Sequence, residues 1–467
     1  MAQQSDTVGL PKRIPLATQA ANRDDSSAKD AKLVNCYVEK SPDGDYWVYK
    51  RQGLSEDTDL SRPSAATGRG MFNWRGSVYT IFNGDLFKNG VDIGNVANSG
   101  MYTFSASLGA TPTLFIKNTT NAYVWDDATL TAVADPQYPS TTVPGSAYLD
   151  ATTYVMTEAA AIQGSDLNDP INWDVLNTIT AQIEPDAGVA IAKQLVYVVV
   201  LKEWTTEVFY DAANPTGSPL GTVQGAKVSY GCVNGASVQS IDDILLWVST
   251  TRSAQAQVIM MQGLKAEVVS TPPIERLIDN VSFTTMYSWL IKDEGHTFYV
   301  FTSVEANVTL VFDIRERAWF QWTDSSGNYF PICASSYRTA GQQHLVQHIS
   351  NGKVYLVDRE YYTDAGTGIP VNVYTPNWDA GLDRNKQCTM LRVLADQQTG
   401  STLYVRTNDE DYAADKWTKF RPVDLGMKRP FLANLGTFRR RAHNFYHNSN
   451  TPLRLKAIDL QLDLGTL

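Results

Sequence analysis

Short apolar segments that alternate with turn residues recur along the middle of the chain. The segment "SVYTIFNGDLFKNG", which starts at Ser77, places two apolar runs around Asn83-Gly84, a dipeptide typical of tight β-hairpins. Related strand-turn-strand segments begin at Thr113, Thr152, Gln194, Ile244, Thr297 and His344. Their starts are about 44 residues apart on average, and a repeat of roughly 40–50 residues built of short strands is typical of β-propeller blades. Because one hairpin cannot bury its apolar face alone, the units must stack around a common axis.

Helical periodicity is nearly absent, and Val, Tyr, Thr and Trp dominate the apolar segments. We therefore predict an all-β chain with an irregular β-propeller of six to eight blades. The pattern leaves one alternative open, a pair of β-sandwiches. Strands of that fold would recur at about 8–12 residues without the larger unit.

The sequence on either side of the repeats predicts two further parts. Residues 1–60 are expected to form a polar arm and then strands such as "LVNCYVEK" and "DYWVYKRQGL", and residues 61–368 the propeller. Residues 369–467 close with "LRLKAIDLQLDLG", whose apolar positions nearly alternate, and predict a β-sandwich-like domain. Since neither end has a complete sheet alone, we expect the N-terminal strands around Cys36 to pair with the C-terminal module.

Composition and charge restrict the classes of function. The chain has 467 residues, is 43% hydrophobic and 19% charged, and carries a net charge of −10. That charge argues against a surface that binds nucleic acid through its phosphates, because such surfaces need clustered Lys and Arg. It is compatible with a passive wall beside DNA.

The cysteines and apolar runs indicate folding in a reducing cytoplasm without a membrane anchor. No CxxC pair is present, so each cysteine is expected to be a small buried apolar residue. The N-terminal segment has no apolar core of a secretory signal, and the longest strongly apolar run, residues 195–201, is too short to span a membrane. The four cysteines are Cys36, Cys232, Cys333 and Cys388.

Candidate catalytic and metal-binding patterns are weak. The pairs His344/His348 and His443/His447 have the spacing that chelates a metal on a helix, but both lie in strand-like segments, where four residues span about 13 Å. The repeated Asp-box turns of sialidase-like propellers are absent. We therefore predict no catalytic residue, no cofactor and no metal. The aspartates at hairpin ends are interpreted as turn caps; they are Asp126, Asp211, Asp313 and Asp358.

One basic and aromatic segment, "KRPFLANLGTFRRRAHNFY" at residues 428–446, contains the run Arg439, Arg440 and Arg441. It could contact DNA phosphates, but in a strand Arg440 would point away from its two neighbours, which disfavours one flat phosphate-binding face. We predict that the three arginines lie at a contact with another subunit or an adaptor protein.

Structural motifs between residues 205 and 275 carry a resemblance to a known family. They are Thr206-Glu207-Val208-Phe209-Tyr210, Asn214-Pro215, Gly225-Ala226, Gly231-Cys232, Leu246-Trp247-Val248 and "EVVSTPPIE" from Glu267. The chain resembles the β-propeller tail-hub proteins of short-tailed bacteriophages, also called packaged-DNA stabilisation or nozzle proteins. It departs from their pattern at Gln52-Gly53, where a Pro-Gly turn is expected, and in the turn "STTRSAQAQ" after Trp247.

The resemblance implies a structural protein of the virion tail, assembled in the cytoplasm of the host bacterium. The resemblance implies a hexameric ring that attaches below the head-to-tail adaptor and continues the channel for genomic double-stranded DNA without binding it specifically. It also implies that the ring retains the packaged DNA, holds the tail needle or plug and seats tailspikes or fibres. The alternatives are a propeller hydrolase or lyase that acts on host surface polysaccharide, and a non-catalytic interaction scaffold of a cell.

Overall fold

The computed structural model describes residues 12–16, 30–42, 44–252, 254–279 and 281–464, and these residues are mostly in β-strands. Their one α-helix is Pro272–Asp279, and two short 3-10 helices span Gly235–Ser237 and Ala414–Lys416. The predicted all-β fold class is confirmed.

Seven four-stranded antiparallel sheets form the blades of a propeller, which fixes the blade number within the predicted range. Their strands are listed from the channel outward. Blade one has Gly68–Trp74, Ser77–Phe82, Asp85–Lys88 and Val91–Asn95; blade two has Thr103–Ala106, Leu114–Lys117, Ala122–Trp125 and Leu130–Ala132; blade three has Ala147–Leu149, Thr152–Met156, Ala161–Asp166 and Asp169–Thr180. Blade four has Gly188–Gln194, Tyr197–Lys202, Thr206–Asp211 and Leu220–Thr222; blade five has Gln239–Ile241, Ile244–Thr251, Ala254–Gln262 and Lys265–Val268; blade six has Met286–Asp293, His296–Ser303, Val308–Asp313 and Ala318–Gln321.

Blade seven is completed by a strand from the other end of the chain. Ile332–Arg338, Gln343–His348 and Val354–Asp358 supply its three inner strands, and Gly53–Glu56 pairs antiparallel with Val354–Asp358 as the fourth. The short strands Thr363–Asp364 and Thr367–Gly368 continue this sheet. The innermost strands of blades seven and one are in contact, so the ring closes without an open edge between blades.

The sequence predicts the hairpins because their turns need residues that tolerate a left-handed backbone. Asn83, at the predicted Asn-Gly turn of blade one, has φ 53°, a conformation that asparagine adopts more readily than most residues. A buried apolar cluster lies at each junction between neighbouring blades.

Two tryptophans show how these junctions are built. Trp247 and Trp319 are fully buried, and their indole N–H groups donate to the carbonyl oxygens of Gly231 at 2.7 Å and Val269 at 2.9 Å. Trp247 lies in the second strand of blade five and bonds to the segment between blades four and five, and Trp319 lies in the outer strand of blade six and bonds to the residue that follows blade five. The motif residues Gly231 and Trp247 therefore serve blade packing.

The C-terminal strands and the N-terminal strands share a two-sheet sandwich that extends outward from blade six. In the first sheet the order is Cys36–Lys40, Tyr46–Lys50, Arg454–Leu464, Lys386–Ala395 and Phe431–Phe438, and Lys12–Arg13 also pairs with Arg454–Leu464. The second sheet continues blade six through Lys32–Val34, Val371–Tyr374, Ala442–His447, Thr402–Asn408 and Arg421–Asp424. One buried cluster joins both sheets to blades six and seven.

The N-terminal strands thus belong to three different sheets. The division into segments 1–60, 61–368 and 369–467 does not coincide with the sheets and stays a proposal about folding units.

The position of the sandwich also gives the molecule a long axis. Around a ring of seven, blades two and three each lie three places from blade six, on the side opposite the sandwich.

Candidate interaction surfaces

The three arginines predicted at an interface differ in their exposure. Arg439 and Arg440 have side chains that are 66% and 55% exposed, whereas the Arg441 side chain is 4% exposed. Arg441 donates to the two carboxylate oxygens of Asp409 at 2.6 and 2.8 Å and lies 4.4 Å from the ring centroid of Phe438. Only Arg439 and Arg440 are therefore placed where a partner could reach them.

The backbone at this run differs from the expected strand. Arg439 and Arg440 occupy a bend between the strands Phe431–Phe438 and Ala442–His447, so the alternation of side chains in a strand does not apply to them. Both are already paired within the chain, Arg439 with Asp383 and Arg440 with Asp411 at 2.6 Å. The hydrogen bonds from Arg439 lower the pKa of the Asp383 carboxyl.

A groove in the first sheet of the sandwich combines apolar side chains with basic ones. It has a volume of about 540 Å³, and apolar side chains of Trp47, Leu394 and Phe431 line it. Phe431 is 46% exposed. Around these apolar residues lie Arg392, Lys428, Arg429, Lys456 and Asp396, with Met390, Val393, Ala395 and Pro430 completing the lining.

The charges of this groove are unbalanced. No acidic residue in the described ranges pairs with Arg392, Lys428 or Arg429, and Asp396 pairs with Arg454 at 3.5 Å. Lys428 and Arg429 begin the basic segment that the sequence indicates, eleven and ten residues before the arginine run that was predicted at an interface. Arg392 stands alone in the sequence, so only the pairing of its strand with Phe431–Phe438 brings it to this place.

The excess negative charge of the chain is confined to one stretch. Residues 89–192, which contain blades two and three, have eleven acidic residues and one basic residue, Lys117, while the rest of the chain has 38 of each. Lys117 is buried and donates to the carbonyl oxygens of Val143 at 2.7 Å and Gly145 at 3.1 Å. Burial lowers the pKa of its ammonium group to about 7. The side of the propeller opposite the sandwich is therefore strongly acidic.

The channel at the centre of the propeller is small and largely uncharged. A cavity of about 470 Å³ lies among the inner strands, which is the size of a small-molecule site. Its lining includes Tyr102, Asn118, Asn234 and Gln239, and its one charged residue is Lys117. This lining does not contain the pair of carboxylates that most glycosidases use.

Both predicted histidine pairs lie in strands, as expected, in Gln343–His348 and Ala442–His447. His443 is fully buried, and burial, with a smaller effect of Arg441, lowers its pKa to about 3. Burial also lowers the pKa of His348 to about 4. Within the described residues, no group of three or more His, Cys, Asp or Glu side chains could hold a metal ion.

The hairpin aspartates cap turns, which confirms their interpretation. Carboxylate oxygens accept backbone N–H groups two residues further on: Asp211 from Ala213 at 2.7 Å, and Asp358 from Glu360 at 2.9 Å. Asp126 and Asp313 make the same bonds to Ala128 and Arg315. Asp313 also contacts the buried His296 at 2.6 Å.

All four cysteines are free and buried, as predicted. Burial raises the thiol pKa of Cys232 and Cys333 to about 12, which makes both unreactive at neutral pH. No helix in the part of the chain that the structure describes is long and apolar enough to cross a membrane.

Comparison with known proteins supplies a family match. A family model described as "Bacteriophage P22 Gp10, beta-propeller" matches residues 15–362. No curated protein matches the chain.

Solved structures with some likeness include the N-terminal domain of Nup159, with 10% identity, a TM-score of 0.39 and coverage of 70% of this chain and 99% of that chain. RRP9 WD40 repeats give 9% identity, a TM-score of 0.39 and coverage of 66% and 99%. PorZ of the type-IX secretion system of Porphyromonas gingivalis has 10% identity, a TM-score of 0.39 and coverage of 80% of this chain and 46% of that chain. TM-scores this low support no inference about the function of this chain.

Proposed function

The chain belongs to the bacteriophage P22 Gp10 β-propeller family, as its sequence motifs indicated, and on this premise we propose that it is the tail hub, or nozzle, of a short-tailed phage virion. In this role it attaches below the head-to-tail adaptor as a ring of identical copies, a hexamer by the family resemblance. It continues the DNA channel, retains the packaged genome and holds the tail needle or plug and the spikes or fibres.

The observation that carries this proposal is the extent of the family match. Residues 15–362 begin just after the strand Lys12–Arg13 and extend through the end of blade seven, so the match includes every blade and the strand Gly53–Glu56 that closes the ring. A match to one or two blades would indicate only a shared repeat. Membership of a family of phage propellers supports the virion tail as the place where this chain acts.

The proposed route of the DNA lies between copies of the chain rather than through one propeller. The innermost strands of neighbouring blades contact one another around a cavity of about 470 Å³, the size of a small-molecule site, which supports this route. A conduit of this kind must not hold its cargo tightly, because each phosphate neutralised by Lys or Arg adds salt-sensitive affinity. The net charge of −10 supports a bore with little affinity for DNA.

We propose a non-enzymatic role. The proposal is supported by the lining of the central cavity, whose one charged residue is Lys117, and by turn-capping roles for the hairpin aspartates. A polysaccharide hydrolase would need two carboxylates with separate pKa values in one cleft.

The decisive experiment is deletion of the gene from the phage genome with complementation from a plasmid. We expect heads that package DNA but lose it and carry neither needle nor spikes, and we expect the plasmid copy to restore infectious particles. Deletion particles that keep their genome and a complete tail would contradict the proposal. In parallel, the purified protein is incubated with host polysaccharide; turnover that disappears when one carboxylate pair is substituted would favour the hydrolase.

A further inference from the structure

Two surfaces of opposite charge lie at opposite ends of the molecule. One is formed by the outer strand of blade three and the turn that precedes it. It consists of Asp166, Leu167, Asp169, Asp174, Val175 and Leu176 and is here called the acidic rim. The other is the groove of the sandwich around Trp47, Arg392, Leu394, Lys428, Arg429 and Phe431, here called the basic groove.

The acidic rim presents apolar side chains on a fixed backbone. Residues 174–177 bulge from the edge strand, because Trp173 faces Ser165 while Thr178 faces Gln163. Val175 and Leu176 in this bulge are 60% and 72% exposed. Such exposed apolar residues on a sheet edge are a liability for a monomer unless another chain covers them.

Side chains from the preceding loop hold the bulge in place. The Gln137 side-chain oxygen accepts the N–H of Val175 at 3.0 Å, and the Asp135 carboxylate accepts the N–H of Trp173 at 2.8 Å. Asp174 accepts the N–H of Leu176 at 2.8 Å, which tightens the turn. The apolar tip is therefore organised before any partner arrives, which reduces the entropy lost on binding.

The charges of the two surfaces are complementary. In the described ranges no Lys or Arg forms an ion pair with Asp166, Asp169 or Asp174, just as no acid pairs with the three cations of the basic groove. Each surface combines an apolar centre with unpaired charges of one sign. Complementary charges around an apolar centre favour one docking orientation and accelerate encounter.

We propose that the acidic rim of one copy docks into the basic groove of the next copy, so that Val175 and Leu176 contact Phe431, Leu394 and Trp47. The inference rests on the proposed function, which requires a ring, and it names the surfaces that build that ring. Because the two surfaces are different and lie on opposite sides of the chain, the contact is head-to-tail, and head-to-tail contacts close into rings when the rotation between copies allows it.

The test uses two variants that each remove one surface. The rim variant is Val175→Lys/Leu176→Lys, which leaves the backbone hydrogen bonds of the bulge in place; the groove variant is Arg392→Glu/Arg429→Glu. Sedimentation velocity at several protein concentrations measures self-association. We expect each variant alone to associate at least about tenfold more weakly than the unmodified chain.

The mixture of the two variants distinguishes a head-to-tail contact from other contacts. A rim-variant copy keeps its groove and a groove-variant copy keeps its rim, so the mixture should form dimers and stop there. Matched controls are Leu195→Lys/Val196→Lys, an adjacent apolar pair that is 50% and 63% exposed in blade four, and Lys416→Glu/Lys419→Glu in the sandwich.

Three results would overturn the inference. Rings that form normally in both variants would refute the docking while leaving the ring itself intact. A groove variant that assembles normally but binds duplex DNA more weakly than the unmodified chain would assign the groove to phosphate contacts. An unmodified chain that stays monomeric at all concentrations would refute the docking as a contact that drives assembly, whereas the proposed function is tested separately by the gene deletion.

Discussion

Arg51 joins the N-terminal strands to the hairpin that follows blade seven and to the loop after blade six. Its side chain is 4% exposed, donates to both carboxylate oxygens of Asp364 at 2.9 and 2.5 Å, and donates to the Asn35 side chain at 3.0 Å. Its guanidinium also lies 4.6 Å from the ring centroid of Phe330. A planar group with five donors suits this position, which lysine could not fill in the same way.

Replacement of Arg51 by Met should therefore destabilise the fold strongly. The change leaves the Asp364 carboxylate without its partner in a partly buried site, and breaking a buried pair costs about 3–5 kcal/mol. Urea unfolding measures the loss in the free energy of unfolding. Arg317→Met, which removes an exposed pair with Glu267, is the control and should cost less than about 1 kcal/mol. Equal effects of the two substitutions would contradict the role of Arg51.

His443 should make stability depend on pH. Its folded-state pKa is lowered to about 3, and neither ring nitrogen has a hydrogen-bond partner among the described residues. In the unfolded chain the ring takes up a proton below about pH 6.5, so acid favours unfolding between about pH 6.5 and about pH 3.

The variant His443→Phe isolates this effect, since Phe can occupy the position parallel to Phe445. Relative to the variant, the unmodified chain should lose about 1.4 kcal/mol of stability per pH unit below about pH 6.5. The measurement is the difference in free energy of unfolding at about pH 7 and about pH 4.5. A difference that does not change with pH would show that the ring is already charged in the fold.

Arg439 and Arg440 are predicted to act in assembly, and Arg441 in folding. The double variant Arg439→Ser/Arg440→Ser should fold with unchanged stability, because both ion pairs are exposed, but should fail to enter tails. Arg441→Ser should lower the free energy of unfolding by leaving Asp409 unpaired. Thermal unfolding and the protein content of purified particles measure these outcomes. Complete particles that leak DNA would instead assign the pair to DNA contacts.

At the level of elements, closure of the ring depends on one short strand. A Cβ atom on Gly53 would overlap backbone atoms of Thr363 and Tyr361, so only glycine fits where Gly53–Glu56 joins blade seven. This close approach explains why position 53 is glycine although Gln52 stands where the proline of the expected Pro-Gly turn would be.

Gly53→Ala should consequently weaken the closure. Overpacking of this kind costs about 1–3 kcal/mol, and hydrogen exchange should rise first in Val354–Asp358, its partner strand. Ser55→Ala in the same strand is the control, since its hydroxyl makes only a long contact of 3.4 Å with Asp358. Exchange that increases uniformly across all blades would argue against a local role for this strand.

The sequence was sufficient for elements with local signals and insufficient for those with distant partners. The hairpin of blade one is readable from Asn83-Gly84 because both strands and their turn are contiguous. Nothing near Gly53–Glu56 or Lys32–Val34 identifies their partners, which lie about 300 residues away, and loop closure over that distance leaves no local pattern. The candidate surfaces followed the same rule. The run at Arg439 was visible, whereas Arg392 joins the basic groove only through sheet pairing.

For the whole molecule, the separation of charge predicts weak interaction with nucleic acid. The acidic stretch 89–192 repels phosphates, and the basic residues outside it are balanced by an equal number of acidic residues. We expect a dissociation constant weaker than about 100 µM for duplex DNA at physiological salt, measured by fluorescence anisotropy. The same assay on a basic DNA-binding protein is the positive control. Micromolar binding that falls steeply with added salt would contradict a passive conduit.

Closure of blade seven by Gly53–Glu56 also constrains the synthesis of the protein. This strand leaves the ribosome before any blade, but its partner is translated about 300 residues later, an interval of about 15–60 s at usual elongation rates. During that time the early strand must wait unpaired while blades one to six form beside it. A nascent chain interrupted before Val354–Asp358 keeps an incomplete last blade and an open edge, which chaperones and proteases can recognise. Ring closure can therefore occur only after nearly all of the propeller has been translated.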